Sequence, residues 1–330
     1  MIKVEGLTKQ FKVHKKTPGL KGSISSLFNR EYIIKEAIKD INLEINQGEI
    51  LGLIGSNGAG KTTLTKILSG IIHPTAGKVS VLGFDPWERD NRYRKQMSLI
   101  MGQKAQLWWD LPAADGFLLL KEIYQIPDTQ FKQRLAYLSE SLGIEKELNV
   151  QVRKLSLGER MKVELIAALL HQPKVVFLDE PTIGLDLSAQ KAVRRFIKEY
   201  RKEFNPIMIL TSHYMDDIED LCDRIIIMKE GEFVYDGSIK QVQQEYAQSK
   251  LVTAQASPNI NVSEEYRKFP KSLGEIEIND NGKITVRSPR EKVMEAASYL
   301  IHYLKIEDLN ISEEDIGDVI EHIMSKGKEA

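Results

Sequence analysis

Apolar and polar positions along this chain follow two periods, and the points where the period changes divide it. Ile2 to Phe11 and Ala37 to Ile45 alternate with a period of two, which predicts strands with one buried face. Ile50 to Ile54 is almost wholly apolar, as in a strand covered on both faces of a parallel sheet. Gly77 to Gly83 and Met97 to Met101 predict two more strands. From Ala105 to about Val152 the period becomes helical, most clearly over Phe117 to Tyr124 and Phe131 to Leu142, and another amphipathic helix covers Met161 to Leu170. Strands return at Val175 to Asp179 and Ile207 to Leu210, and Ile225 to Met228 with Gly231 to Tyr235 predicts a closing hairpin.

The texture changes near Ile239. A polar, helix-like stretch from Lys240 to Lys250 precedes a hairpin over Glu275 to Val286 turning at Asn281-Gly282, a helix over Glu291 to Leu304, and a last helix from about Glu313 to Met324. The expected organisation is one large α/β domain over residues 1–238 and a small α+β appendage over 239–330. Within the first, a helical subdomain spans about 104–165. A basic insertion at about 12–36 carries Lys12, Lys15, Lys16, Lys21, Arg30 and Lys35, with Leu20, Ile24, Leu27 and Phe28 on one helical face. That insertion is either a solvated loop with a short packed helix or a basic amphipathic element at a membrane surface.

The residues after Ile54 carry the clearest chemistry. Gly55-Ser56-Asn57-Gly58-Ala59-Gly60-Lys61-Thr62-Thr63 is a complete P-loop, set between an apolar strand and an amphipathic helix as the motif requires. The glycines let the backbone curl around a triphosphate, and the helix aims its positive end at the same point. Lys61 would reach the β- and γ-phosphates, and the Thr62 hydroxyl would hold Mg²⁺. The strand ending Asp179-Glu180 supplies a carboxylate for the Mg²⁺ hydration shell and, one residue past the strand, one to polarise the attacking water. A strand, P-loop and helix followed by an apolar strand ending in Asp-Glu predicts a doubly wound P-loop NTPase fold, with nucleotide at the carboxyl ends of the strands.

Composition narrows this little. The 330 residues are 42% hydrophobic and 28% charged with net charge −1, which suits a globular chain and gives no global sign of nucleic acid. Cys222 is the only cysteine, so no intramolecular disulfide forms and a reducing compartment is expected. No apolar run reaches the roughly 18 residues that cross a bilayer, and the N-terminus lacks the apolar region of a signal peptide, so a soluble protein is expected.

The residues between the two nucleotide motifs carry a resemblance. Leu155-Ser156-Leu157-Gly158-Glu159, shortly before the Asp-Glu strand, resembles the signature loop of ATP-binding cassette (ABC) ATPases. Gln103 is similar to the Q-loop glutamine, Gly184-Leu185-Asp186 to the D-loop, His213 to the switch histidine, and Phe11 to the aromatic that stacks on adenine. The motifs stand in the family's order from Met1 to about Ser238. The resemblance implies an ABC ATPase core with an antiparallel β subdomain and a helical insertion, hydrolysing ATP with Mg²⁺. It implies catalytic roles for Glu180, His213, Lys61 and Gln103, and Mg²⁺ held through Thr62, Gln103 and Asp179. ATP would contact Phe11, the P-loop residues, Ser156, Gly158 and Asp186, with Ser156 and Gly158 of one subunit facing the P-loop of the other across a head-to-tail dimer in which ATP is the glue. Leu157 and Glu159 depart from the usual Gly and Gln, which puts the Glu159 contact in doubt. Phe11 keeps a stacking face without the usual tyrosine's hydroxyl.

The stretch MGQKAQLWWDLP, preceded by PTAGKVSVLGFDPW, resembles the ATPases of ABC-2 type exporters, and the segment from Leu20 to Phe28 resembles an insertion of polysaccharide and teichoic-acid exporter ATPases that lies near the membrane. This implies a peripheral protein on the cytoplasmic face of the cell membrane, a homodimer that works with separate transmembrane permease subunits. Trp108 and Trp109, directly after the glutamine, are expected partner anchors, with one of the two in the core. The alternatives are an importer ATPase and a soluble ABC ATPase acting on ribosomes or DNA. The latter group has tandem cassettes or a long coiled coil, and this chain has one P-loop and no sustained heptads. A P-loop GTPase is excluded for want of an Asn-Lys-x-Asp motif.

Overall fold

The computed structural model describes residues 1–14, 32–102, 104–246, 249–256, 269–279, 283–304, 306–314 and 316–326. They divide into two compact units, Met1–Gly237 and Ser238–Ala330.

In the first unit, strands β3 (Ile50–Ile54), β5 (Met97–Met101), β6 (Val175–Asp179), β7 (Ile207–Thr211), β8 (Arg224–Lys229) and β9 (Glu232–Gly237) form one sheet in the order β5-β6-β7-β3-β8-β9. All neighbours run parallel except β8 and β9. Their apolar runs follow from this position: β3 and β7 are buried at every residue because helices cover both faces. Helix α1 (Lys61–Leu68) follows β3 directly, and α6 (Leu187–Phe204) buries Val193, Phe196, Ile197 and Tyr200 along one stripe. The strand order reverses between β7, β3 and β8, so the β3 loop opens at a switch point where ligands bind.

A second sheet, β2-β1-β4, joins β1 (Ile2–His14), β2 (Tyr32–Ile45) and β4 (Ala76–Val81) in antiparallel register, with Ile2 opposite Ile45 and Val4 opposite Leu43. Its buried face shares one core with α1 and the parallel sheet. The pairing extends further than the sequence suggests: Lys12 pairs with Ile34 and His14 with Tyr32, so both ends of the expected insertion are strand. The aromatic and β-branched run Tyr32-Ile33-Ile34 favours the ladder over a loop. Residues 15–31, which carry Lys15, Lys16, Lys21 and Arg30 and the apolar face from Leu20 to Phe28, lie outside the described residues.

The helical subdomain holds α3 (Ala113–Tyr124), α4 (Asp128–Leu142) and α5 (Leu157–Leu169). Helix α5 starts four residues earlier than its apolar period indicates, because Ser156 and Glu159 form a capping box across its first turn.

The second unit is a four-stranded antiparallel sheet, β11-β12-β10-β13, built from β10 (Ser249–Ala256), β11 (Glu275–Ile278), β12 (Lys283–Pro289) and β13 (Ile306–Glu313). Helix α9 (Val293–Leu304) packs on Val252, Ala254, Ile284 and Val286, the alternate residues of two central strands. Two expectations are corrected. The helix expected over Lys240 to Lys250 ends at Tyr246, and β10 begins at Ser249. The last helix is Ile316–Lys326, because residues from Ile306 add β13 to the edge of the sheet, with Ile311 opposite Val252. The turn at Asn281-Gly282 lies outside the described residues.

Candidate nucleotide site

The loop from β3 to α1 is forced by close backbone approach. Gly55 has φ +155°, and a Cβ there would lie 2.3 Å from the Met228 carbonyl oxygen. Gly60, φ +116°, has the Ala37 carbonyl oxygen 2.6 Å from its missing Cβ. Neither position admits another residue without backbone movement. The tight loop leaves the first N–H groups of α1 without intrahelical partners, the arrangement that receives phosphate.

Lys61 is only 7% exposed, and its Nζ donates to the carbonyl oxygens of Gly55 and Ser56 at the loop itself. Burial pushes its pKa down, while Glu180 and Asp179 oppose that shift. The ammonium is thus held by neutral carbonyls, which an incoming phosphate can displace. Thr62 Oγ1 donates to Asp179 Oδ1 across 3.5 Å, and Thr211 Oγ1 donates to the same oxygen at 2.7 Å. Hydroxyl and carboxylate so placed, with oxygen donors only, are the set that suits Mg²⁺.

Glu180 follows β6 with φ +58°, a conformation uncommon for a non-glycine residue. Its backbone N–H donates to the Thr211 carbonyl and hydroxyl oxygens, both at 3.1 Å, which fixes that turn. Its carboxylate meets His213 twice: Oε1 lies 3.2 Å from Nε2, and Oε2 accepts from the His213 backbone N–H at 3.3 Å. Burial raises the Glu180 pKa above the ordinary carboxylate range, with His213 and Lys61 pulling it back.

Lys61, Thr62, Asp179, Glu180 and His213 line one cavity of about 520 Å³ that also takes in Phe11, the rest of residues 56–63, Met101 and Gly102. Phe11 and the P-loop thus stand at one opening. Val13, Lys35, Ala37, Lys66 and Lys104 line it as well, and sequence reasoning had not singled them out as site residues. Lys35 was within reach, since it pairs directly with Phe11 across the hairpin. Gln103 lies outside the described residues. A second cavity, about 570 Å³, is lined by Lys3 and Val79 of the antiparallel sheet and by His73 and Trp87 from the segments on either side of β4, and holds none of the P-loop.

Ser156, Gly158 and Asp186 are not in the nucleotide cavity of their own chain. Ser156 caps α5, and its hydroxyl donates to Glu159 Oε2 at 2.8 Å. Glu159 therefore has a contact within its own turn: it also accepts the Ser156 N–H, and these bonds hold its carboxyl below the usual range. Asp186 caps α6 through Ala189 N–H, and Gly158 sits so close to Ala189 that a Cβ would be 3.2 Å from that methyl. The signature and D-loop residues thus form one surface of their own.

Trp108 and Trp109 are both exposed, at 44% and 51%, which corrects the expectation that one lies in the core. Leu107 takes the buried place instead, over Gly116. The buried Glu164 of α5 fixes this segment by accepting the N–H groups of Gln106 and Leu107 at 3.0 Å and 3.3 Å. With Leu111, Leu118, Leu119 and Ile123 also exposed, the helical subdomain carries an apolar surface.

The family model described as "ABC transporter" matches residues 38–183. The ABC transporter ATP-binding protein NatA of Bacillus subtilis is 30% identical over 218 residues, covering 66% of this chain and 88% of that protein. The methionine import ATP-binding protein MetN 2 of Enterococcus faecalis is 31% identical over 236 residues, covering 69% of this chain and 68% of that protein. Among solved structures, the dimeric post-hydrolysis state of the ATP-binding cassette MJ0796 with ADP and Pi matches 72% of this chain and 98% of its own, with a TM-score of 0.60 at 23% identity, a likeness of fold. With the P-loop, the Asp-Glu strand end and His213 around one cavity and relatives matched over most of their length, the chain belongs to the ABC transporter ATP-binding proteins and is an ABC-type ATPase subunit.

Proposed function

We propose that this chain is the ATP-hydrolysing subunit of an ABC-2 type exporter, acting as a homodimer beneath separate membrane subunits. The observation that carries the catalytic part is the Glu180 carboxylate, raised in pKa by burial and held against His213 in the cavity that contains Lys61 and Asp179. A carboxylate whose pKa is raised is a better proton acceptor for water. The water oxygen bonds the γ-phosphorus, its proton passes to Glu180, and the bond to the bridging oxygen breaks, leaving ADP and phosphate. Lys61 meets the phosphate charge, His213 steadies Glu180, and Phe11 receives the adenine. Mg²⁺ would be held by Thr62, Asp179 and, by the family pattern, Gln103, and would neutralise charge on the β- and γ-phosphates.

The dimer is supported by what one chain leaves undone. Ser156, Gly158 and Asp186 stand outside their own cavity, and a helix N-terminus such as that of α5 from a second copy would cover the open side of the γ-phosphate. Exposed Trp108 and Trp109 support docking to a membrane subunit. No helix among the described residues is long and apolar enough to cross a membrane. In this reading separate permease subunits form the membrane path and the chain lies peripherally at the cytoplasmic face of the cell membrane. The basic residues at about 12–36 contribute contact with anionic lipid. Nucleic acid is not a partner in this reading. Import is the second reading, favoured by the likeness to MetN 2.

Light scattering of the purified full-length protein tests the dimer. Glu180→Gln with ATP should run as a dimer and as a monomer without nucleotide, whereas a monomer under both conditions would sink it. Transport by inverted vesicles carrying the chain with the membrane subunits encoded beside its gene separates export from import.

A further inference from the structure

Asp217, on the short helix α7 (Met215–Leu221), is completely buried and lines no part of the nucleotide cavity. Its Oδ1 accepts from Arg194 Nη1 at 2.9 Å. Its Oδ2 accepts from two hydroxyls, Ser212 Oγ at 2.7 Å and Thr182 Oγ1. Three elements thus meet on one carboxylate. A buried carboxylate is costly unless its lone pairs are filled, and here every donor comes from a different segment.

The two hydroxyls flank the Glu180–His213 pair. Thr182 is two residues beyond Glu180, on the turn from β6 to Asp186, where Ile183 and Leu185 donate to the Glu180 and Thr182 carbonyls. Ser212 immediately precedes His213, and its oxygen also accepts the Tyr214 N–H at 3.0 Å, closing a turn around the histidine. Arg194 anchors the assembly to α6, the helix capped by Asp186, and ion-pairs with Asp220 at 3.1 Å besides.

We propose that Asp217 is the positioning residue of the hydrolytic pair: by gathering Thr182 and Ser212 on one oxygen it fixes the spacing between Glu180 and His213 and ties both to the segment ending at Asp186. This rests on the reading of Glu180 and His213 as the hydrolytic pair. Asp217 itself touches no reacting atom. The hydroxyls can be removed singly without disturbing the ion pairs of Arg194, which makes them the gentler probes, whereas Asp217→Ala takes away its fully buried partner and leaves it only the more exposed Asp216 and Asp220.

The test compares Thr182→Val, Ser212→Ala and the conservative Thr182→Ser in the full-length protein, with Glu180→Gln alongside. ATP turnover, KM for ATP and melting temperature are measured for each. Since small misplacements at a reacting centre cost up to about 100-fold, Thr182→Val and Ser212→Ala should lose about tenfold or more in kcat with KM within about twofold, and Thr182→Ser should recover most of the rate. The inference is overturned if both keep the wild-type kcat, or if Thr182→Ser loses as much as Thr182→Val. A fall in melting temperature with kcat intact would likewise reduce Asp217 to a packing role. If Thr182→Val does not fold, Ser212→Ala decides alone. Wild-type turnover by Glu180→Gln would instead remove the underlying reading, so the two failures are told apart.

Discussion

His213 grips Glu180 from two sides, its Nε2 3.2 Å from Oε1 and its backbone N–H donating to Oε2 at 3.3 Å. The carboxylate is therefore oriented by contacts from within the chain itself, and its raised pKa sets the acid side of the reaction. Glu180 must be ionised to accept a proton, so turnover should fall as pH drops through a value above the ordinary carboxylate range. A kcat profile that stays flat down to the ordinary range would contradict the assignment.

Lys61→Ala should act at an earlier step. Its ammonium is buried on the loop carbonyls with Asp179 and Glu180 nearby, so removing it takes away the cation that meets the phosphates. Calorimetric titration should find ATP affinity reduced by tenfold or more, about 1.4 kcal/mol or above, with the melting temperature nearly unchanged.

His171 gives the fold a pH dependence of its own. It stacks on Tyr124 with ring centroids 3.9 Å apart, its Nε2 faces the Met97 carbonyl at 3.1 Å, and burial lowers its pKa to about 4. Between about 6.5 and 4 the unfolded chain binds a proton that the folded chain refuses, so stability falls as pH falls through that window. The loss approaches roughly 3 kcal/mol at the bottom of it, and urea unfolding of His171→Gln should show a shallower pH slope than wild type.

Exposure of both tryptophans makes them dispensable for the isolated subunit. Trp108→Ala with Trp109→Ala should leave melting and basal ATP turnover unchanged, yet weaken docking to the membrane subunits by about 2 kcal/mol or more. Undiminished co-purification of those subunits would refute the anchor. Glu164→Ala should have the opposite profile, because it strands the Gln106 and Leu107 N–H groups that its carboxylate now fills, at about 1 to 3 kcal/mol. Faster amide exchange at 106–107 would report it.

How far the sequence carried the account depended on the length scale of each signal. The β3 strand, P-loop and α1 are contiguous, and the glycines at 55 and 60 are required by backbone approach, so that part was legible. So were the Val175–Asp179 strand and its two carboxylates, because an apolar run with an acidic end is local. Edge strand β13 was not, since Glu307 and Asp308 stand together between Ile306 and Leu309 and leave only a short alternating run, and pairing with β10, with its register shift at Gln255/Ala256, makes it a strand. The place of Trp108 depended on Leu107 filling the space over Gly116, a choice among adjacent apolar residues that a pattern cannot rank. Asp217 was silent in sequence because its partners come from three separated segments.

The central claim is that Glu180 is the proton acceptor in ATP hydrolysis, and steady-state turnover by purified Glu180→Gln tests it most directly. The amide still hydrogen-bonds water and cannot take its proton, so kcat should fall by about 100-fold or more while ATP binding stays within a few-fold of wild type. Hydrolysis at the wild-type rate would contradict the account.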